Sequence, residues 1–475
     1  MLRPSRHTVV GRTVFAHPSG RHVRPVLHTA TARIFLVDLD TAARLAGETT
    51  PTGSDTADQQ FHDLGLLVAA DADEAGEVVA ASRTAAATSR RREFVVMPSA
   101  YCNMGCGYCG QSHERTVTAT AHRTILAERV AAAAAGGRHD SINVRWFGGE
   151  PMMGYAVIRD LSRRFIDAAD RAAVAYTALI VTNGTLLDLR KLRALHHECR
   201  IGRVEVTLDG PADLHDTTRP LKNGAGSFDR ITAVLRSALD APDLAGLQIS
   251  IRTNVGVGNA HLADETAAAF AAAGLAHPQV QCYPAPVHSW GNDVSDTALA
   301  RQDMATAELS WLAAYLRHGL RTALLPATPR AVVCAAVTRH SEVLAPDGRV
   351  YSCTEQPLVP GHDDRHVTRL ATLPVVALRP AGLFDDWYDA VDAGETGCRG
   401  CAILPLCGGS CPKLWREGAV PCPPLKLNVR ERLDLYARSV GCLPVGDAGS
   451  HETAAPATAR PAAAGSGAHL PTRSA

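Results

Sequence analysis

The chain lacks an excess of either charge: lysine plus arginine and aspartate plus glutamate number 48 each over 475 residues. Without a basic surplus, net charge makes no case for a nucleic acid or an anionic membrane as partner. No apolar run approaches the roughly 20 residues that cross a bilayer, and the N-terminus lacks the apolar core of a signal peptide. Cysteine, in contrast, is plentiful. There are 13, an odd number, and most sit in tight clusters or at motif spacings. Close C-x2-C and C-x3-C neighbours suit metal sites in a reducing cytosol better than a secreted disulfide framework. A cytoplasmic protein of two or three domains is expected.

The densest cysteine stretch, Tyr101 to Gly110, reads Tyr-Cys-Asn-Met-Gly-Cys-Gly-Tyr-Cys-Gly. Cys102, Cys106 and Cys109 are separated by three and then two residues. A cubane iron–sulfur cluster needs thiolates that converge from several directions, so the loop must turn sharply. Gly105, Gly107 and Gly110 are expected to supply positive φ for those turns. Three thiolates for four irons leave one iron open. A three-cysteine zinc site is the other reading, although zinc sites usually pair arms from separated segments.

Around this loop the pattern alternates strand and helix. Strands are expected at Glu93–Met97, Ile142–Phe147, Thr177–Thr182, Val204–Leu208, Leu247–Thr253 and Gln279–Tyr283. Helices are expected at Ala121–Ala135, from about Tyr155 to Ala173, and at Asp188–His196, Phe228–Leu239 and Leu262–Ala273. Repeated β-α units imply parallel strands with right-handed crossovers. A long amphipathic helix should span Thr297–Leu320.

The C-x3-C-x2-C run, with Tyr108 before its third cysteine, resembles the signature of the radical S-adenosylmethionine (SAM) enzymes. In that family the open iron chelates SAM, and one electron releases a 5′-deoxyadenosyl radical that takes a hydrogen atom from substrate. The resemblance implies an α/β fold, a partial (β/α)6 TIM-like barrel, with active-site groups at the C-terminal ends of the strands. Gly148-Gly149-Glu150-Pro151 follows the second strand and resembles the family's Gly-Gly-Glu motif, with Glu150 as acceptor beside the SAM amino group. His215-Asp216 and Arg219 resemble the H-D-x-x-R stretch of the peptide-modifying and sulfatase-maturing branches. By the same resemblance Tyr108, Gly148, Gly149, Glu150, Asn183, Thr207, Asp209 and Arg219 are the expected SAM-binding residues. Asn183-Gly184 and Asp209-Gly210 are also ordinary turn pairs.

A second cysteine set begins at Cys334. Gly348 and Cys353 follow, then Cys398, Cys401, Cys407 and Cys411 spaced C-x2-C-x5-C-x3-C, then Cys422. This pattern resembles the seven-cysteine SPASM extension, which holds two auxiliary [4Fe–4S] clusters. Its crossed ligation implies Cys398, Cys401, Cys407 and Cys422 on one cluster and Cys334, Cys353 and Cys411 on the other. The latter then has three thiolates. Its fourth iron is open, or Cys282 or Cys442 fills it. A zinc ribbon is the alternative for Cys398–Cys411. Cys199 fits no pattern and is expected to be a buried apolar residue.

The expected organisation is an α/β module at 1–92, the barrel at 93–320, the SPASM extension at 321–442 and a disordered tail at 443–475. In the first module strands are expected at Thr8–Phe15 and Arg33–Val37, a helix start at Thr41–Ala46, a loop at Gly47–Gln60 and a short element at Phe61–Val68. This module either holds a peptide or covers one end of the barrel. Pro284–Asn292, with Trp290, is either a substrate contact or a rigid connector. The resemblance points to a maturase that abstracts hydrogen from a precursor peptide, giving a thioether or carbon–carbon cross-link. A low-potential flavodoxin or ferredoxin would be its electron donor. The alternatives are a sulfatase-type maturase forming formylglycine and a non-enzymatic electron-transfer or scaffold protein.

Overall fold

Six short apolar runs, each closed by a helix or turn, become six parallel strands in a computed structural model that describes residues 1–51 and 56–446. They are Arg91–Val96, Ser141–Trp146, Ala175–Thr182, Ile201–Thr207, Gln248–Val255 and Val280–Pro286. They pair in sequence order, each parallel to the next. Helices Thr120–Ala135, Tyr155–Arg171, Phe228–Leu239 and Ala263–Ala272 cover them. Val144, Trp146, Ile180, Val204, Val206, Ile249 and Ile251 of these strands are all buried in one core. The expected strand and helix order is present, and helix Arg301–Arg317 occupies the middle of the long helix predicted.

Among the described strands the sheet does not close on itself. The first strand pairs on its outer edge with Ser341–Leu344, also parallel, and the sheet continues through antiparallel strands Arg349–Tyr351 and Thr368–Arg369. Buried charge holds this addition in place. Glu342 is fully buried and accepts from both Arg92 and Arg129. Arg379, also fully buried, donates to both carboxylate oxygens of Asp385 (2.7 Å each) and to the carbonyls of Ser341 and Thr338. Buried charges persist only when paired in this way.

The chain divides into two units that do not follow the four segments expected from sequence. One comprises Ala85–Thr322 and Cys334–Asp386; the other comprises Met1–Thr84, Ala323–Val333 and the chain from Trp387 onward. The expected SPASM segment is therefore split, because residues 341–369 extend the parallel sheet. In the second unit Val9 and Leu27 share a core with Ile403, Leu406, Val429 and Leu433, so the N-terminal module and the last cysteines fold together. Its antiparallel sheet orders Leu443–Pro444, Phe15–Ala16, His22–His28 and Thr8–Val10, with Arg33–Val37 also on His22–His28. Leu443–Pro444 is thus a strand rather than tail; the remaining tail, 447–475, lies outside the described residues.

Three further elements depart from the sequence reading. Helix Thr56–Asp63 takes up the last five residues of the expected Gly47–Gln60 loop. Helix Glu74–Ala87 is alanine-rich and has no apolar stripe to reveal it. Strand His22–His28 contains Pro25, a residue that argues against a strand.

Candidate active site

The cysteine loop leaves the first strand at its C-terminal end and is anchored from outside. Met104 bridges Leu221, Gly105 N donates to the Pro220 carbonyl (2.9 Å) and Lys222 N to that of Asn103 (2.9 Å). The Tyr101 ring carries Lys222 Nζ at 4.4 Å from its centroid, a cation–π contact. Gly105, Gly107 and Gly110 do not have positive φ, contrary to expectation. The first two have open space where a Cβ would stand, while a Cβ on Gly110 would meet Asn292 Oδ1 at 2.5 Å. The left-handed glycines of the site are Gly148 (φ 84°) and Gly149 (φ 53°). A Cβ on Gly149 would lie 2.8 Å from the Tyr101 carbonyl oxygen. This close approach lets the second strand's loop pack against the cysteine loop, and Glu150 N donates to that same carbonyl (2.9 Å).

Cys102, Cys106 and Cys109 line one cavity of about 150 Å³ at the strand ends, with Tyr108, Gly148, Gly149, Asn183, Thr207 and Arg219 on its walls. Two of the expected SAM-binding residues do not line it. Glu150 is fully buried, and its carboxylate accepts from Met152 N (2.9 Å), Thr182 Oγ1 (2.6 Å) and Asn183 N (2.7 Å). It ties the second strand's loop to the end of the third. Burial raises its pKa against the effect of these hydrogen bonds. Asp209, also buried, accepts from Tyr108 Oη (2.5 Å) and Asn254 N (2.9 Å).

Tyr108 is the centre of a polar knot. Its hydroxyl also receives hydrogen bonds from Arg219 Nη1 and from Asn254 Nδ2 (2.9 Å). Burial, with Asp209 beside it, holds the phenol well above its usual pKa, so it stays neutral. The H-D-x-x-R residues build the platform. His215 Nδ1 accepts from Asp209 N (3.3 Å) and its Nε2 lies 3.0 Å from Ser227 Oγ. Asp216 accepts from Ser227 N (2.7 Å) and Phe228 N (3.0 Å) at the start of the next helix. Asn183 Nδ2 donates to Asn103 Oδ1 (2.8 Å) and stands 3.8 Å from Cys102 Sγ.

These groups fit a four-iron cluster and a polar ligand bound at it. Three thiols face one space, and Gln111 Nε2 and Arg219 Nε, on residues lining it, are buried donors without a partner. Buried donors are rarely left so. Burial pushes the Cys102 thiol up to about 11 and raises Cys106 too, so cluster loading would displace protons. Sequence reasoning missed Arg252 and Asn254, which also line the cavity, whereas His288 and Trp290 on its wall belong to the expected Pro284–Asn292 stretch. The position of Arg252 and Asn254 at the end of the fifth strand was the available signal.

In the second unit Cys398, Cys401, Cys407 and Cys422 line a single cavity of about 140 Å³ with Trp415 and Lys426, and Cys411 is not among its walls. Lys426 Nζ donates to Cys422 Sγ (3.5 Å), and burial pushes the Cys407 thiol up to about 11. Among the described residues no three His, Cys, Asp or Glu side chains come together as around a single metal ion. Thiols on cavity walls suit a four-iron cluster, which takes them on separate irons. Cys282 is buried in the main core and Cys442 packs with Phe15, Val23 and Ala437. Neither is offered as a ligand. Cys199 is a buried core residue. Cys334 and Cys353 belong to the larger unit, Cys411 to the smaller.

Residues 96–242 match the family model of the radical SAM superfamily. No curated protein matches the chain in a sequence search. Among solved structures, native anSMEcpe with bound AdoMet aligns at 16% identity with a TM-score of 0.53, over 73% of this chain and 96% of that one. The same protein with bound AdoMet and Cp18Cys peptide aligns at 17% identity with a TM-score of 0.55, over 73% and 97%. Streptococcus suis SuiB bound to precursor peptide SuiA covers 89% of this chain and 99% of that one at 13% identity, with a TM-score of 0.45. The two anSMEcpe likenesses establish the fold. The superfamily model runs from the end of the first parallel strand to beyond the fourth, the part of the chain that places its cysteines on the cavity wall, and residues 96–242 are accordingly a radical SAM domain.

Proposed function

We propose that the chain is a radical SAM peptide maturase that oxidises or cross-links a precursor peptide. The observation carrying this reading is the cavity itself: three thiols, the bare Gly148-Gly149 backbone and Arg219 on the inside, with His288 and Trp290 of the last strand's loop on the wall. When bound, the cluster and SAM supply the 5′-deoxyadenosyl radical that takes a hydrogen atom from substrate. The chain's own residues would do the rest. Cys102, Cys106 and Cys109 would hold the cluster, and Asn183, Thr207 and Arg219 would hold SAM. Tyr108 and Asp209 would fix Arg219, and Glu150 would fix Asn183. A peptide substrate is supported by anSMEcpe, a protein of this fold solved with AdoMet and a bound peptide.

Cys398, Cys401, Cys407 and Cys422 would hold one auxiliary [4Fe–4S] cluster, as their shared cavity supports. The resemblance implies a second auxiliary cluster, for which Cys334 and Cys353 are the thiols that the larger unit offers. Residues 1–92 would help hold the peptide, and a flavodoxin or ferredoxin would deliver the electron. Among the described residues no helix is long and apolar enough to cross a membrane; a cytoplasmic location completes the proposal.

The test is a mass spectrum of any short peptide found encoded beside this gene, co-expressed with the intact chain or with Cys102, Cys106 and Cys109 replaced by alanine. Loss of pairs of hydrogens that requires the cysteines supports the reading. An unchanged mass, with SAM still cleaved to 5′-deoxyadenosine, refutes the peptide substrate.

A further inference from the structure

The loop after the sixth strand brings a histidine–carboxylate pair to the cavity that no motif announced. His288 lines the cavity, and its Nε2 lies 3.1 Å from Glu355 Oε1. Its ring stacks on Trp290 (centroids 5.8 Å apart, planes at 21°), which stacks in turn on Phe147 (6.1 Å, 21°). A ring held by a carboxylate at one nitrogen and by an aromatic face has a set tautomer and a set direction. With Nε2–H donated to Glu355, Nδ1 is the acceptor. The Pro286 carbonyl, 3.4 Å from Nδ1, is placed to take the hydrogen bond of a proton gained there. Glu355 has a second tie: its backbone N–H donates to Cys353 Sγ at 3.5 Å.

We propose that His288, oriented by Glu355, is the proton acceptor of the peptide oxidation, a role that rests on the maturase reading above. The balance is as follows. A substrate C–H bond breaks and its hydrogen atom leaves in 5′-deoxyadenosine. The carbon radical forms its new bond to a partner sulfur or carbon, whose S–H or C–H proton passes to His288 Nδ1. The remaining electron would need an oxidised iron–sulfur cluster as its acceptor, the chemistry the auxiliary cysteines would supply. The substrate loses two hydrogens, one as an atom and one as a proton and an electron. Glu355 then joins the two exits, since its side chain holds the proton acceptor and its N–H touches Cys353, an expected ligand of the auxiliary cluster.

Other charged or titratable groups surround this pair. Arg252, Arg219 and His113 share the cavity, with the three cysteine thiols and the Tyr108 hydroxyl, and His362 lies behind Gly291.

The experiment compares wild type, His288→Gln and Glu355→Gln as reconstituted holoenzymes, with SAM, dithionite and the peptide that the co-expression test above shows to be modified. Both 5′-deoxyadenosine and modified peptide are quantified from pH 5 to 9. A positioned base contributes on the order of 100-fold or more, so His288→Gln is expected to lower product by about that factor. It should also raise the ratio of 5′-deoxyadenosine to product at least about ten-fold. Glu355→Gln removes the charge that favours the imidazolium, so its acid limb should move to lower pH. A readout independent of turnover comes from Trp290: acid quenching of tryptophan fluorescence should be present in wild type and absent in His288→Gln. If wild type modifies the peptide while His288→Gln keeps the wild-type ratio and acid limb, His288 is not the base. If the co-expression test shows no modified peptide, the maturase reading falls and this assignment falls with it.

Discussion

Replacing Glu150 by glutamine separates two accounts of the Gly-Gly-Glu motif. The family resemblance makes Glu150 a SAM ligand, so its loss would weaken SAM binding and leave the fold alone. The structure makes it a buried acceptor for three donors, at 2.9, 2.6 and 2.7 Å. Glutamine keeps one acceptor oxygen and turns an NH2 toward the other donors. If the oxygen faces Met152 N and Thr182 Oγ1, the Asn183 N–H loses its acceptor and meets a donor instead. An unsatisfied buried N–H costs about 1–3 kcal/mol, and the two remaining bonds each fall from charge-assisted to neutral, about 1 kcal/mol apiece. The sum is about 3–5 kcal/mol. Denaturant unfolding of the reconstituted protein, wild type against Glu150→Gln, should show that loss, and equilibrium dialysis should show weaker SAM binding as Asn183 shifts. A variant that unfolds at the wild-type midpoint yet no longer binds SAM would refute the reasoning and put the carboxylate back on the ligand.

Three further outcomes follow from the same site. Gly149→Ala places a Cβ at positive φ 2.8 Å from the Tyr101 carbonyl oxygen; at about 1–2 kcal/mol for the conformation alone plus the clash, iron retained by the cysteine loop should fall in a colorimetric iron assay. Cys106→Ala should abolish SAM cleavage to 5′-deoxyadenosine, read by chromatography. Burial lowers the pKa of His215 to about 4 from 6.5. A lowered histidine pKa means the unfolded chain binds the proton more tightly, so this stability is full above pH 6.5 and is lost as pH falls toward 4. The shift predicts about 2 kcal/mol lost by pH 5. Unfolding midpoints of wild type and His215→Gln should therefore converge between pH 7 and 5.

Local features were legible because near neighbours set them. The cysteine loop is a matter of spacing within eight residues, and the β-α alternation is a matter of periodicity, so the six parallel strands and their order were readable from Arg91 to Pro286. The choice of barrel rim followed, since a loop after a parallel strand lies at its C-terminal end. The turns of the loop were misread. Its own glycines are not left-handed, and the positive φ values sit at Gly148 and Gly149, where the crowding comes from a different strand.

Tertiary structure decided what meets what. Glu150 turns inward because the N–H of Asn183 and the hydroxyl of Thr182, on the next strand, need an acceptor there. Asn254, Arg252 and His288 reach the cavity only because parallel register aligns the ends of strands far apart in sequence. Glu342, buried between Arg92 and Arg129, assigns residues 334–386 to the barrel's sheet, although the cysteine spacing had grouped Cys334 and Cys353 with the later cysteines. A sequence determines which residues lie close along the chain and which face they share. Which buried donor finds which acceptor is a long-range matter, settled by the cost of leaving either unpaired.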